Sequence, residues 1–148
     1  MHQENSLVIR VRGVIIHEGK LLVVRHSHAS ATNFYALPGG KLEWNEGIRE
    51  CMVREIEEEL GVTPVLGRLL YVHNLLINEV QSIEFFFEIT NGSDYLDTSN
   101  LKGTHSFELA EILFISPTDD VNLLPKAFHD EFKSGEALHD EVRYIGNI

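Results

Sequence analysis

A single cysteine in 148 residues excludes an intramolecular disulfide, so no internal covalent bridge holds this chain in shape. Cys51 sits in a stretch of acidic and apolar residues, where packing is its expected role. No run approaches the roughly 18 apolar residues of a membrane-spanning helix. The N-terminal MHQENSLVIR lacks a basic region followed by an apolar core, so the chain reads as cytoplasmic, with no membrane partner. Basic residues are also scarce. Twelve lysines and arginines against 23 acidic residues give a net charge of −11, which makes nucleic acid an unlikely partner, because such binders neutralise phosphates with cations. The eight histidines are scattered, only His26 and His28 lie close together, and no spacing suggests zinc. They are expected mostly at the surface. No repeat, linker or composition break appears, and 43% hydrophobic with 24% charged residues is ordinary for a globular chain, so one domain over 1–148 is expected.

What the chain does have is the run from Gly40 to Val62, GKLEWNEGIRECMVREIEEELGV. Pro38, Gly39 and Gly40 read as a tight loop, because proline lacks a donor and glycine admits close backbone approach. From Gly47 to Leu60 there is no proline, charged and apolar residues recur at helical spacing, and Gly61 stands where a helix should stop. That spacing predicts a helix, with Asn45 as a plausible N-cap and Glu46 suited to the positive end of the dipole. At about 100° per residue Glu55, Glu58 and Glu59 share one side, next to an apolar stripe of Met52, Val53, Ile56 and Leu60. Like charges so placed cost a helix roughly 0.2–0.5 kcal/mol per pair unless a cation lies among them. Oxygen-only ligands favour Mg²⁺, with Mn²⁺ possible, over zinc. A solvated glutamate face is the plainer reading of such a helix; the framing by Gly40, Glu46 and Arg54 argues against it.

Gly40, Glu46, Arg54, Glu55, Ile56, Glu58, Glu59, Gly61 and Val62 fill every fixed position of the Nudix box, and the segment resembles the Nudix hydrolases of MutT-like type. The resemblance implies an α/β fold, a Nudix-type α/β/α sandwich with a mixed β-sheet. It implies an enzyme that cleaves the pyrophosphate of a nucleoside diphosphate linked to another moiety: a nucleoside triphosphate, ADP-ribose, a nucleotide sugar or a dinucleotide. Metal ligands are then expected at Glu55, Glu58, Glu59 and the carbonyl of Gly40, with Arg54 orienting a catalytic glutamate through an ion pair. A carboxylate outside the helix often completes such sites; in the pattern Glu108-x-x-Glu111-x-x-Phe114, Glu108 is preferred, with Glu84 and Glu88 as lesser candidates. The general base is left open among Glu58, Glu59 and Glu108. The alternative function is a catalytically silent Nudix-fold sensor of nucleotides, against which the intact glutamate set speaks. A homodimer is common in similar proteins. Cys51 and Met52 stand where small residues are usual in the box, and need room on the sheet beneath.

Outside the box, LVIRVRGVII from Leu7 and LLVVRH from Leu21 predict a hairpin across HEGK, and VLGRLLYVHNLLI with SIEFFFEIT predicts a second pair across NEVQ. SHASATN reads as a polar loop, Asn91 to His105 as another, ELAEILFIS as a strand, and the remainder as one or two helices, LLPKAFHDEF being the better candidate. Candidate substrate contacts are Phe34 and Tyr35, which could stack on a base, and Arg10, Arg12 and Arg25, which could meet phosphates. The competing readings are core packing for the aromatics and a solvated strand edge for the arginines.

Overall fold

The structure, a computed structural model, describes residues 5–27 and 33–147. His28 and most of the loop SHASATN lie outside the described residues, as do the first residues of the N-terminal segment.

Both hairpins form. Strands β1 (Leu7–His17) and β2 (Lys20–His26) are antiparallel, with Ile16 opposite Leu21. Strands β4 (Leu66–Ile77) and β5 (Val80–Ile89) pair across a turn of only Asn78 and Glu79, both at positive φ, so Val80 and Gln81 belong to the strand and not to the turn expected there. The first correction concerns the glycine segment: Gly39–Lys41 is a short strand, β3, antiparallel to β1 through Arg12↔Gly39, Val11↔Gly40 and Arg10↔Lys41. Extended glycines can pair where a chain must pass close to its neighbour, and the free loop expected there is replaced by that close passage. Strand β6 (Leu109–Ile115) pairs with β2. The C-terminal part holds one helix, α2 (Lys126–Lys133), and a strand that was not foreseen, β7 (Arg143–Gly146), parallel to β4. RYIG is too short for its alternation to stand out.

Among the described residues seven strands make one mixed sheet in the order β6-β2-β1-β5-β4-β7, with β3 on β1. The long β1 has β5 parallel on one side, while on the other side its middle meets β3 and its end meets β2. Alternation then sends Val11 and Ile15 to one face with Leu22, Val24 and Phe87, and Val14 to the other with Leu21, Val23 and Phe86. The first face is covered by α1 (Ile48–Leu60) through Cys51, Met52, Ile56 and Leu60, the second by α2 through Phe128 and Phe132. This is the α/β/α sandwich expected. Cys51 and Met52 are fully buried, so the sheet does provide their room. Burial pushes the Cys51 thiol up to about 12, which leaves it inert at neutral pH.

Helix α1 begins one residue later than the pattern suggested. Its N-cap is Gly47, no side chain caps it, and Asn45 instead takes the left-handed region at φ 62 in the preceding loop. Glu46 is drawn to Arg54, not spent on the helix dipole. At the other end Gly61 has φ 77 and its N–H donates to the Glu57 carbonyl, the expected left-handed stop. A Cβ there would also lie 2.5 Å from the Lys102 carbonyl oxygen. Gly61→Ala should therefore cost at least about 1–2 kcal/mol, the penalty of a left-handed non-glycine residue. Urea unfolding would show it as a lower midpoint at unchanged slope.

Candidate active site

Helix α1 lies with its carboxylate side against β3. The Gly39 N–H donates to Glu59 Oε1 at 2.7 Å inside the protein. At Gly40 a Cβ would sit 2.3 Å from the Glu55 carboxylate carbon, so only glycine lets that carboxylate reach the backbone. Arg54 gathers the rest: its Nε and Nη2 form a fork on Glu46 at 2.6 and 3.0 Å, and its Nη1 donates to Glu55 at 3.0 Å and to Glu58 at 3.1 Å. Nη2 also donates to the Lys41 carbonyl at 3.0 Å. Neither Glu50 nor Glu57, the surface partners a plain helix would have offered, takes part. The fork matches carboxylate geometry in a way lysine cannot.

These contacts set the charges. The Arg54 hydrogen bonds hold the Glu46 carboxyl down at about 2. Burial pushes Glu55 up despite Arg54 beside it. Glu59, only 2% exposed, is pushed up to about 8 by burial, against the pull of the Gly39 amide and Arg12.

A cleft of about 760 Å³ opens beside this cluster. Of the residues singled out from sequence, it is lined by His26, Gly39, Gly40, Arg54, Glu55, Glu58, Glu59, Glu108, Arg10, Arg12, Phe34 and Glu84, which come from six elements and, for Phe34, a loop. Glu108 ends a 3₁₀ turn just before β6, and its carboxylate makes no hydrogen bond or ion pair among the described residues. Arg25, Tyr35 and Glu111 do not line the cleft. Instead the Glu111 carboxylate accepts from Tyr35 Oη at 2.8 Å and from Arg25 Nε at 3.3 Å, so the expected substrate contacts at Arg25 and Tyr35 are occupied by a protein carboxylate. Glu88 is likewise absent from the lining.

Sequence reasoning passed over four charged or titratable residues of the cleft, one of them Glu43, whose Oε1 lies 3.5 Å from Arg54 Nη1. Lys41, at the end of β3, pairs with Arg10 on β1. His105 places Nδ1 3.1 Å from Glu58, and its backbone N–H donates to the Glu58 carbonyl. His73 is buried, with Nδ1 2.8 Å from Glu84 and Nε2 bonded to the Asn147 carbonyl. The expectation of mostly surface histidines thus needs correction: of the six described, His73 and His129 are buried and His17, His26, His105 and His139 partly so. Isolated histidines carry no periodic signal in this sequence, so burial could not be read from it. Glu84, at the cleft floor, feels burial pushing its pKa up, yet the His73 hydrogen bond and Arg12 outweigh it and hold the carboxyl at about 2.

The NUDIX domain family matches residues 7–133. The ADP-ribose pyrophosphatase of Methanocaldococcus jannaschii is 31% identical over 129 residues, 84% of this chain and 69% of that protein. A low-salt glycan biosynthesis protein of Haloferax volcanii is 27% identical over 146 residues, 95% of this chain and 81% of that one. Among solved structures, a MutT protein of Methanosarcina mazei superposes with a TM-score of 0.68 at 28% identity, covering 90% of this chain and 95% of that one. Sandwich, glutamate helix and glycine strand together mark a hydrolase. The chain belongs to the Nudix hydrolases and is a pyrophosphohydrolase of that family, whose members act on nucleoside diphosphate derivatives.

Family members generally use divalent metals. Among the described residues no three acidic, histidine or cysteine side chains converge as a ready ligand set, because Arg54 holds Glu55 and Glu58 and the Gly39 amide holds Glu59. The donors still fit a hard cation. All are oxygens, Gly40 leaves room at Glu55 that a Cβ would fill, and a cation would favour the ionised form of the buried Glu59. No described helix is long and apolar enough to cross a membrane.

Two outcomes follow for the metal-free chain. Between about 4.5, the ordinary glutamate value, and about 8, folded Glu59 keeps a proton that the unfolded chain releases, so this group lowers stability as pH rises through that window. The slope approaches about 1.4 kcal/mol per pH unit. Chelator-treated Glu59→Gln protein should lose that decline in unfolding measured from pH 5 to 9; a slope equal to that of the parent would refute the assignment. Arg54→Lys, which keeps the charge but not the fork, should cost roughly 1.5–3 kcal/mol in the same assay, the range for hydrogen bonds to charged groups.

Proposed function

We propose that this protein is a Mg²⁺-dependent pyrophosphohydrolase, with Mn²⁺ as a possible substitute, built as a single Nudix domain over residues 1–148. Its substrate is a small-molecule nucleoside diphosphate carrying a further moiety. The observation that carries the reading is the contact between α1 and β3: Glu55 against Gly40, Glu59 on the Gly39 amide, and both Glu55 and Glu58 within hydrogen-bond reach of Arg54.

Glu55, Glu58, Glu59 and the Gly40 carbonyl would hold the metal. Bound there, the cation supplies charge neutralisation of the pyrophosphate and acidifies a water for attack. The chain's own groups do the rest. Arg54 keeps Glu55 and Glu58 aimed at the cleft while Glu46 anchors the guanidinium from behind. Glu108 is assigned as the proton acceptor, because Glu58 already accepts from Arg54 and Glu59 from Gly39, whereas the Glu108 carboxylate is unpartnered among the described residues. As the water oxygen bonds to phosphorus, its proton passes to Glu108 and the bridging P–O bond breaks, leaving two phosphate-bearing products. Phe34 lies in the cleft wall where a base could stack.

The test is a Mg²⁺-dependent hydrolysis screen over nucleoside triphosphates, ADP-ribose, nucleotide sugars and dinucleoside polyphosphates. Glu58→Gln should fold normally and lose turnover by about 10³-fold, several kcal/mol of transition-state stabilisation. Glu108→Gln should lower kcat more than it raises KM. Full activity in Glu58→Gln would sink the reading.

A further inference from the structure

Two cations of the cleft face each other. Arg10 and Lys41 stand directly opposite each other across β1 and β3, both line the cleft, and neither side chain makes a hydrogen bond or ion pair among the described residues. Like charges directly opposite each other destabilise the pairing of their strands. Arg12, two residues along the same face of β1, adds to the repulsion.

Arg12 itself is differently placed. Its Nε donates to Glu84 Oε2 at 3.2 Å and its Nη1 to the Leu37 carbonyl at 3.2 Å. Glu84 Oε1 is taken by His73 at 2.8 Å. Each Glu84 oxygen thus already accepts a hydrogen bond, and Glu84, the register partner of Arg10 on β5, acts on Arg10 only as a nearby charge, with no hydrogen bond or ion pair between them. Arg12 is a fixed part of the cleft floor. Arg10 is the guanidinium without a hydrogen bond, partly buried, its pKa drawn down by burial and by Arg12 against a smaller upward pull from Glu84. Among the described residues no acidic side chain of the cleft gives Arg10 a hydrogen bond or ion pair, and Glu84 reaches it only as a neighbouring charge.

The position of the pair says what it meets. Lys41 follows Gly40, which touches Glu55, and the Lys41 carbonyl accepts from Arg54. One residue therefore separates the cations from the carboxylate cluster, so a group they hold must be continuous with the diphosphate at that cluster. Nucleotide sugars and ADP-ribose carry only the two charges of the diphosphate itself. Triphosphates and dinucleoside polyphosphates carry more.

We propose that Arg10 and Lys41 form an anion subsite for a phosphoryl group beyond the scissile diphosphate, so that the enzyme favours nucleoside triphosphates or dinucleoside polyphosphates over ADP-ribose and nucleotide sugars. This rests on the pyrophosphohydrolase reading for its location, but can be read without turnover. In chelator, calorimetry on the whole chain should show inorganic tripolyphosphate binding more tightly than pyrophosphate. Arg10→Ala and Lys41→Ala should each weaken tripolyphosphate at least tenfold, with Arg10→Lys losing less. With Mg²⁺, the ratio of kcat/KM for ATP to that for ADP-ribose should fall at least tenfold in Arg10→Ala. Should Arg10→Ala fail to fold by circular dichroism, the exposed Lys41 gives the same readouts. Tripolyphosphate affinity and substrate ratio both unchanged in the folded variants would overturn the subsite, even if Glu58→Gln abolishes turnover. Arg10-dependent tripolyphosphate binding in a protein that hydrolyses nothing would uphold the subsite and sink the hydrolase reading instead.

Discussion

The approach of helix α1 to strand β3 is the constraint on which the rest depends. Two glycines in succession allow it: Gly39 gives its N–H to the buried Glu59, and Gly40 leaves the space that the Glu55 carboxylate fills. A side chain at Gly40 would collide with that carboxylate. Because β3 is itself pinned to the middle of β1, the same contact sets the helix carboxylates beside the β1 arginines, across the edge where β1 passes from β3 to β2. Met52, Ile56 and Leu60 bury their side chains beneath it, each worth about 1.5–3 kcal/mol, and so hold in place a carboxylate face that would otherwise repel the sheet.

Charge in the cleft is organised as two satisfied networks and two surpluses. Arg54 satisfies Glu46, Glu55 and Glu58, and Arg12 with His73 satisfies Glu84. What remains is a negative surplus at Glu108, beside a Glu59 that burial keeps protonated near neutral pH, and a positive surplus at Arg10 and Lys41, all lining one cleft. Such a division suits a ligand assembled from a cation and a polyanion. The folded chain alone bears its cost, visible in the raised pKa of Glu59 and the lowered pKa of Arg10. Stability is set aside at the site and recovered in the two cores.

The tail of the chain also reaches this site. Asn147 donates its N–H to Asn74 and accepts from His73, which in turn holds Glu84 and through it Arg12. A four-residue strand, β7, thereby supports the floor of a cleft whose chemistry lies at the centre of the sequence.

The glutamate helix, its stop at Gly61, both hairpins and the strand before Ser116 were legible in the amino-acid order, because each rests on local periodicity or on a residue whose backbone preference is strong. So was the set Gly40, Glu55, Glu58 and Glu59, whose spacing places the carboxylates on one side of a single helix. The roles of the arginines and histidines were not. Arg10, Arg12 and Arg25 look alike in the sequence, yet Arg12 bonds Glu84, Arg25 bonds Glu111, and Arg10 makes no hydrogen bond or ion pair among the described residues, since partners 72 and 86 residues away are chosen by strand register alone. The glycine segment became a strand, and not a loop, because β1 offered an unpaired edge. The sequence by itself determined the donors and the helix that carries them, because those are local. Only the tertiary structure decided which charges are cancelled and which stay free, because pairing across a sheet depends on which strands become neighbours.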